Sequence, residues 1–423
     1  MIRHPSPRGL QCLPHITPGR SGLMRPHPLS RGHLLRVLAS LSASLFGEHA
    51  AIAKTGPPAR PGAITLPLER EGGAFCIQYF VEGQRFRAVA DTGSPFLLVD
   101  GASCLASRWG CFDETGTSTQ LGDASEEGFG GQDVGVEWRR GTLRLGGPNS
   151  AKHGSPEALD FAPVNFGVVR SSVGKGGTQA IYLGLAKDRQ PRIRPTLLEQ
   201  TDIQSLSFDF VKKRLTLARH PLVGSDGVPL VDLRPLGAPV APYACKVHRL
   251  IVNGHDVPLQ RQCVAVLDTG TTGLVISDEL YDSDELPLPG AAMRHVAVEV
   301  LTERGRVVRF GAARRPKPPP VTLASTSTAS SPPVDVEEFP FIVTPVRLPW
   351  FEAQPSAGSR SAESAARRAA SRALGASPHV LFLGLAFMAD MRLTIDTDAQ
   401  RLSAEHLVAT RFDASGPSPV RMI

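Results

Sequence analysis

From Phe75 onward the apolar residues come in short β-branched and aromatic runs rather than at helical spacing. The first series is Phe75 to Val81, Phe86 to Ala90, Leu97 to Val99, Thr142 to Leu145, Phe208 to Val211 and Arg214 to Leu217, preceded by a candidate strand near Ile64. The second is Lys246 to Val252, Val264 to Leu267, Leu274 to Ser277, Val296 to Val300, Arg306 to Phe310 and Phe339 to Thr344. Gly-rich turns separate the runs, and short runs bounded by turn residues read as strands. The pattern predicts an all-β chain of two halves, 64–220 and 232–408, joined near 220–232.

Composition supports this picture. In 423 residues, 41 are Gly and 37 are Pro, which favours many short elements over a helical bundle or coiled coil. A hydrophobic share of 41% is enough for a sizeable core and too little for a multi-span membrane protein. Two stretches break the strand pattern. Residues 312–333 are rich in Pro, Ser, Thr and Ala, and residues 354–376 are rich in Ala, Ser and Arg; both read as insertions in the second half. Residues 409–423 form a tail.

The net charge of +6 is unevenly placed. Residues 1–53 hold six arginines, no lysine and one acid, Glu48, so five of the six charges lie there. The nearly neutral remainder has no electrostatic footprint for a nucleic acid. An Arg-rich, acid-poor, Ser-containing start, then the short apolar run Leu34 to Phe46 and the small-residue tripeptide Ala51-Ile52-Ala53, fits a targeting leader cleaved after Ala53. The run is too short to span a bilayer. A plastid-type leader is the expectation; a start codon misassigned upstream of a secretory signal is the alternative.

Five cysteines lie beyond the leader, at 76, 104, 111, 245 and 263, and five cannot all pair. Cys104 and Cys111 are close enough to close a small loop. There is no Cys-x-x-Cys and no His-Glu-x-x-His, so nothing supports a metal site. His153, His248, His255, His295 and His379 have no ligand spacing and read as solvated or singly bonded.

The chemistry lies in a repeat. Val89-Ala90-Asp91-Thr92-Gly93-Ser94 is matched 177 residues later by Val266-Leu267-Asp268-Thr269-Gly270-Thr271, each followed by another apolar run. One Asp-Thr-Gly alone would read as a turn. Further on, Ile181-Tyr182-Leu183-Gly184-Leu185-Ala186 is matched by Leu381-Phe382-Leu383-Gly384-Leu385-Ala386. Aspartate and central glycine are 93 residues apart in the first half and 116 in the second, a difference about the size of one insertion. One unit has been duplicated.

These motifs resemble the pepsin-like aspartic proteases over most of Phe75 to Ser403. The resemblance implies a bilobal fold of two pseudo-symmetric, β-barrel-like lobes with a cleft between them, and an aspartic endopeptidase acting on a peptide or protein substrate. It implies a monomer, since both motifs share one chain, and requires no cofactor. Asp91 and Asp268 would be the catalytic pair. Gly93 and Gly270 would allow the loops to approach, Thr92 and Thr269 would lock them by crossed hydrogen bonds, and Ser94 and Thr271 would donate to the outer carboxylate oxygens. Cys104 and Cys111 match the family's small disulfide loop. Cys263 matches a family cysteine whose usual partner is missing, leaving Cys245 as its partner or Cys263 as a buried thiol.

The flap departs from the family. Its Tyr is replaced by Phe129, followed by Gly130 and Gly131, and the Trp expected seven residues after the first aspartate is replaced by Leu98. Restoring both residues is expected to raise activity if the lost hydrogen bond limits flap closure. Trp138 reads as a packed surface residue. The altered flap leaves an alternative function open, a catalytically silent binding or inhibitor module.

Overall fold

The predicted runs become strands whose ends extend by a few residues as the backbone pairs. Phe86 to Ala90 widens to Gln84–Asp91 and Val296 to Val300 to His295–Leu301, while Leu274–Ser277 keeps its expected bounds. Phe339 to Thr344 shifts to a strand at Val343–Val346. The computed structural model describes residues 62–101, 108–114, 117–122, 124–129, 132–146, 158–173, 181–191, 193–286, 292–313, 339–348 and 378–408. The leader 1–53, the tail 409–423, the insertion 354–376 and all but the start of 312–333 lie outside them.

The described chain is all-β. Its helices are one short α-helix, Asp278–Tyr281, and 3-10 turns such as Leu385–Phe387. No helix among the described residues is long and apolar enough to cross a membrane.

A nine-stranded sheet holds most of the first half, with the path Tyr182–Gly184, Gln84–Asp91, Ala74–Val81, Gln132–Gly146, Ala158–Val173, Leu98–Asp100. A fourteen-stranded sheet begins with Ala63–Pro67, Arg214–Ala218 and Ser205–Asp209. It passes to Met391–Asp396 and Arg401–His406 and continues through Val228–Val231, Ala244–Val252, Cys263–Leu267, His379–Leu383, Leu274–Ser277 and Val343–Val346. The two halves therefore share one sheet. At the junction Phe208 lies opposite Leu393, and the hydroxyls of Ser207 and Thr394 bond at 2.8 Å.

The sixteen-residue strand Ala158–Val173 was hidden in the sequence by Pro163, Asn165 and Gly167. Pro163 falls where the register shifts between the pairs Gly141↔Val164 and Leu143↔Phe161, a bulge that needs no amide donor there. Gly167 is required by packing, since a Cβ there would lie 2.5 Å from Val136 Cγ1 and 2.7 Å from Leu98 Cδ2.

Candidate active site

Each aspartate stands where a buried strand runs out. Gln84–Asp91 ends at Asp91, and Cys263–Leu267 stops one residue before Asp268. Both strands are flanked in parallel by the apolar-Gly motif of the same half. Tyr182, Leu183 and Gly184 lie beside Val89, Ala90 and Asp91; Val380 to Leu383 lie beside Val264 to Leu267. Gly184 and Gly384 sit where the backbone crosses beneath the loop. A Cβ on Gly184 would lie 2.6 Å from the Pro95 carbonyl carbon, and one on Gly384 2.6 Å from the Gly273 oxygen.

The two loops interlock. Thr92 N donates to Thr269 Oγ1 and Thr269 N donates to Thr92 Oγ1, both at 3.0 Å. Each hydroxyl then donates across to the strand beneath the other loop, Thr92 to Leu267 O at 2.8 Å and Thr269 to Ala90 O at 2.6 Å. Both threonines are buried, so all four bonds are shielded from water.

Within each loop the carboxylate is held in the same way. Gly93 N donates to Asp91 Oδ1 at 2.8 Å and Gly270 N to Asp268 Oδ1 at 2.9 Å. Ser94 Oγ donates to Asp91 Oδ2 at 2.5 Å and Thr271 Oγ1 to Asp268 Oδ2 at 2.8 Å. A Cβ on Gly93 would stand 2.7 Å from Asp268 Oδ1, and one on Gly270 would overlap the Asp91 carboxyl. Only glycine leaves room for the facing carboxylate at these two places.

Asp91 is 5% exposed and Asp268 7%. Burial raises the Asp91 carboxyl far above the usual range and the facing Asp268 adds to the rise; the Ser94 and Gly93 hydrogen bonds oppose it. Each carboxyl lies against the glycine of the facing loop, which brings the pair close enough for Asp268 to act on Asp91. One proton shared across the pair is the low-energy state, because two adjacent carboxylates repel. Among the described residues no group of three or more His, Cys, Asp or Glu side chains is arranged to hold a metal.

The hairpin expected to carry the flap is built from Ser125–Phe129 and Gln132–Gly146, with Phe129 opposite Gln132. Its connection falls at Gly130 and Gly131, which lie outside the described residues; Phe129 is described in its backbone only. Leu98 is buried, and its carbonyl accepts a 2.5 Å hydrogen bond from Tyr79 Oη, a buried contact the motifs gave no reason to expect. Trp138 is not at the surface, being 1% exposed. Its Nε1 donates to Ser125 Oγ at 2.7 Å, and its ring meets Phe96 edge-on at 5.0 Å, tying the hairpin to the segment that follows Ser94. A flat apolar body with one polar atom is best buried where that atom has a partner, which the surface reading overlooked.

Sequence reading also missed Tyr243, which ends in a buried bond from Oη to Leu185 O at 2.6 Å, tying the second half to the first apolar-Gly motif. No spacing rule signals it; an isolated Tyr before an apolar strand is the only hint.

Cys104 lies outside the described residues, and with it the pairing to Cys111. Cys76, Cys245 and Cys263 are buried free thiols, so of the two readings of Cys263 the buried thiol holds. Burial pushes the Cys76 thiol up to about 11, and those of Cys245 and Cys263 higher. His379 is neither solvated nor singly bonded. Buried at 1% exposure, it sits between Glu285 Oε1 at 3.2 Å and Arg261 Nη2 at 3.3 Å. Burial lowers its pKa, Arg261 lowers it further, and Glu285 opposes both.

No protein-family model matches the chain, and no curated protein matches it. The functional reading therefore rests on the residues and their geometry.

Proposed function

We propose that the chain is an aspartic endopeptidase with the bilobal pepsin-like fold, hydrolysing peptide bonds with a water activated between Asp91 and Asp268. The supporting observation is the reciprocal threonine lock, which brings two buried carboxyls, one from each copy of the repeat, face to face, each against the glycine of the other loop. A turn aspartate with a structural role needs no second carboxylate against it.

In this reading the ionised member of the pair takes a proton from water as it attacks the peptide carbonyl, and the protonated member donates to the carbonyl oxygen. Burial keeps the shared proton on the pair, while Ser94 and Thr271 stabilise the charge that remains. The altered flap at Phe129 and Leu98 favours the second reading, a silent member that binds a protein. Casein hydrolysis at acid pH, with and without a pepstatin-type inhibitor, decides between them. Inhibitable cleavage is expected; a folded protein that cleaves nothing would leave the silent reading. The leader is proposed to direct the protein to a plastid.

A further inference from the structure

Far along the chain from both aspartates, a pocket of about 270 Å³ opens between the strand Val307–Ala313 and the C-terminal strand Arg401–His406. Its walls include Asp226, Thr302, Arg306, Arg309, Ser403 and His406. Most of the charged groups there are already engaged. Arg306 Nε binds Asp226, whose other oxygen accepts from Arg304 N at 3.1 Å. His406 spans from Asp390 Oδ2 at 3.1 Å to the Arg309 carbonyl at 2.9 Å, so both ring nitrogens face acceptors. Only the doubly protonated ring can donate to both.

Arg309 differs. Its Nε is buried with no hydrogen-bond partner, and no ion pair engages its guanidinium among the described residues. Glu299, which faces it across the register, is taken by Arg249 at 3.2 Å. A guanidinium presents five donors in a rigid fork that matches a carboxylate, and a buried donor without a partner is costly. The strand carrying Arg309 pairs among the described residues on one edge only, with His295–Leu301. Val307, next to the pocket, is 54% exposed.

We propose that this pocket is an exosite for an extended acidic peptide segment, whose Asp or Glu carboxylate pairs with Arg309 while an apolar neighbour covers Val307. The charge of Asp226, already neutralised by Arg306, does not compete for Arg309.

The test is fluorescence anisotropy on the full chain carrying Asp91→Asn, so that no probe can be cut. Two labelled octapeptides are compared, with two glutamates or two glutamines among valines. The glutamate peptide is expected to bind about tenfold more tightly, the usual scale of a charge-assisted bidentate pair, and to weaken as salt is raised. Arg309→Gln should erase that preference. Ser403→Asp, which puts a carboxylate into the pocket wall, should do the same while leaving Arg309 in place. Equal binding of the two peptides, no binding by either, or a preference that survives both substitutions would overturn the proposal. The readout is binding, so loss of the peptidase reading would leave this result standing.

Discussion

At Asp91 the neighbouring hydroxyl belongs to Ser94 and donates at 2.5 Å; at Asp268 it belongs to Thr271 and donates at 2.8 Å. Beyond the loops the correspondence continues residue by residue. Leu97 bridges Leu183 as Leu274 pairs with Leu383, and Leu98 to Asp100 run parallel to Gly167 to Val169 as Val275 to Ser277 run parallel to Thr344 to Val346. The halves then diverge. Gly184 leads into the strand Lys187–Arg189, while Gly384 leads into the 3-10 turn Leu385–Phe387. Leu98 is buried where its counterpart Val275 is half-buried. The two copies of the motif share the backbone that holds the carboxylates and differ in the packing around it. Symmetric substitutions can therefore separate what the site needs from what each half needs.

The largest effect is expected at the aspartates. Asp91→Asn and Asp268→Asn should each lower kcat/KM for a peptide by about 10³-fold or more, within the scale of acid–base catalysis, with an unchanged circular dichroism spectrum. Substantial turnover by either variant would break the assignment of a functional pair. Next come the locking threonines. Thr92→Val and Thr269→Val each remove two buried hydrogen bonds and leave an amide and a carbonyl unpartnered, an expected loss of about 2–4 kcal/mol in urea unfolding. The two losses should agree to within about 0.5 kcal/mol if the lock is reciprocal in energy as well as geometry.

A smaller effect is expected one strand further out. Leu98→Trp overfills a site where Gly167 already admits Leu98 by lacking a Cβ, and should cost about 1–3 kcal/mol. Val275→Trp, at the half-buried counterpart, should cost less. This crowding also opposes the gain in activity that the sequence suggests for Trp at 98. Equal thermal shifts in the two variants would show that the halves pack alike here.

The smallest effects concern pH. Removing a hydroxyl donor disfavours the charged carboxylate, so Ser94→Ala and Thr271→Ala should each move the activity profile toward higher pH. The stability of the folded chain carries a related signature. Because the folded state raises the Asp91 pKa above its ordinary 3.8, the contribution of this group is full below that value and is lost as pH rises through the raised one. Denaturation followed from acid toward neutral pH should show this decline, and Asp91→Asn should flatten it. A profile unmoved by either hydroxyl deletion would mean that burial alone sets the ionisation of the pair.

Legibility in the sequence followed the range of the interactions involved. The Asp-Thr-Gly loops could be read because their geometry is encoded locally, by a strand, a turn and a glycine. Short strands such as Leu274–Ser277 were legible for the same reason. Ala158–Val173 was not, because its Pro, Asn and Gly are accommodated by a bulge and by the packing of Val136 and Leu98, which come from distant parts of the chain. His379, Tyr79 and Tyr243 were misread or missed on similar grounds. Their partners lie in other strands, and a polar group's partner is fixed only when those strands meet.

The shared sheet also constrains how the protein folds. Ser205–Asp209 closes against Met391–Asp396, and Asp396, 2% exposed, accepts from Ser205 Oγ, Leu222 N and Val223 N across more than 170 residues of chain. Pairings this distant are slow to form, since the loop must close before any contact stabilises it. During synthesis the first half emerges with Ser205–Asp209 as an unpaired sheet edge and keeps it until the last strands leave the ribosome. A nascent chain ending before Met391 should thus be aggregation-prone and dependent on chaperones, and the amides of Leu222 and Val223 should be among the last to gain protection from hydrogen exchange.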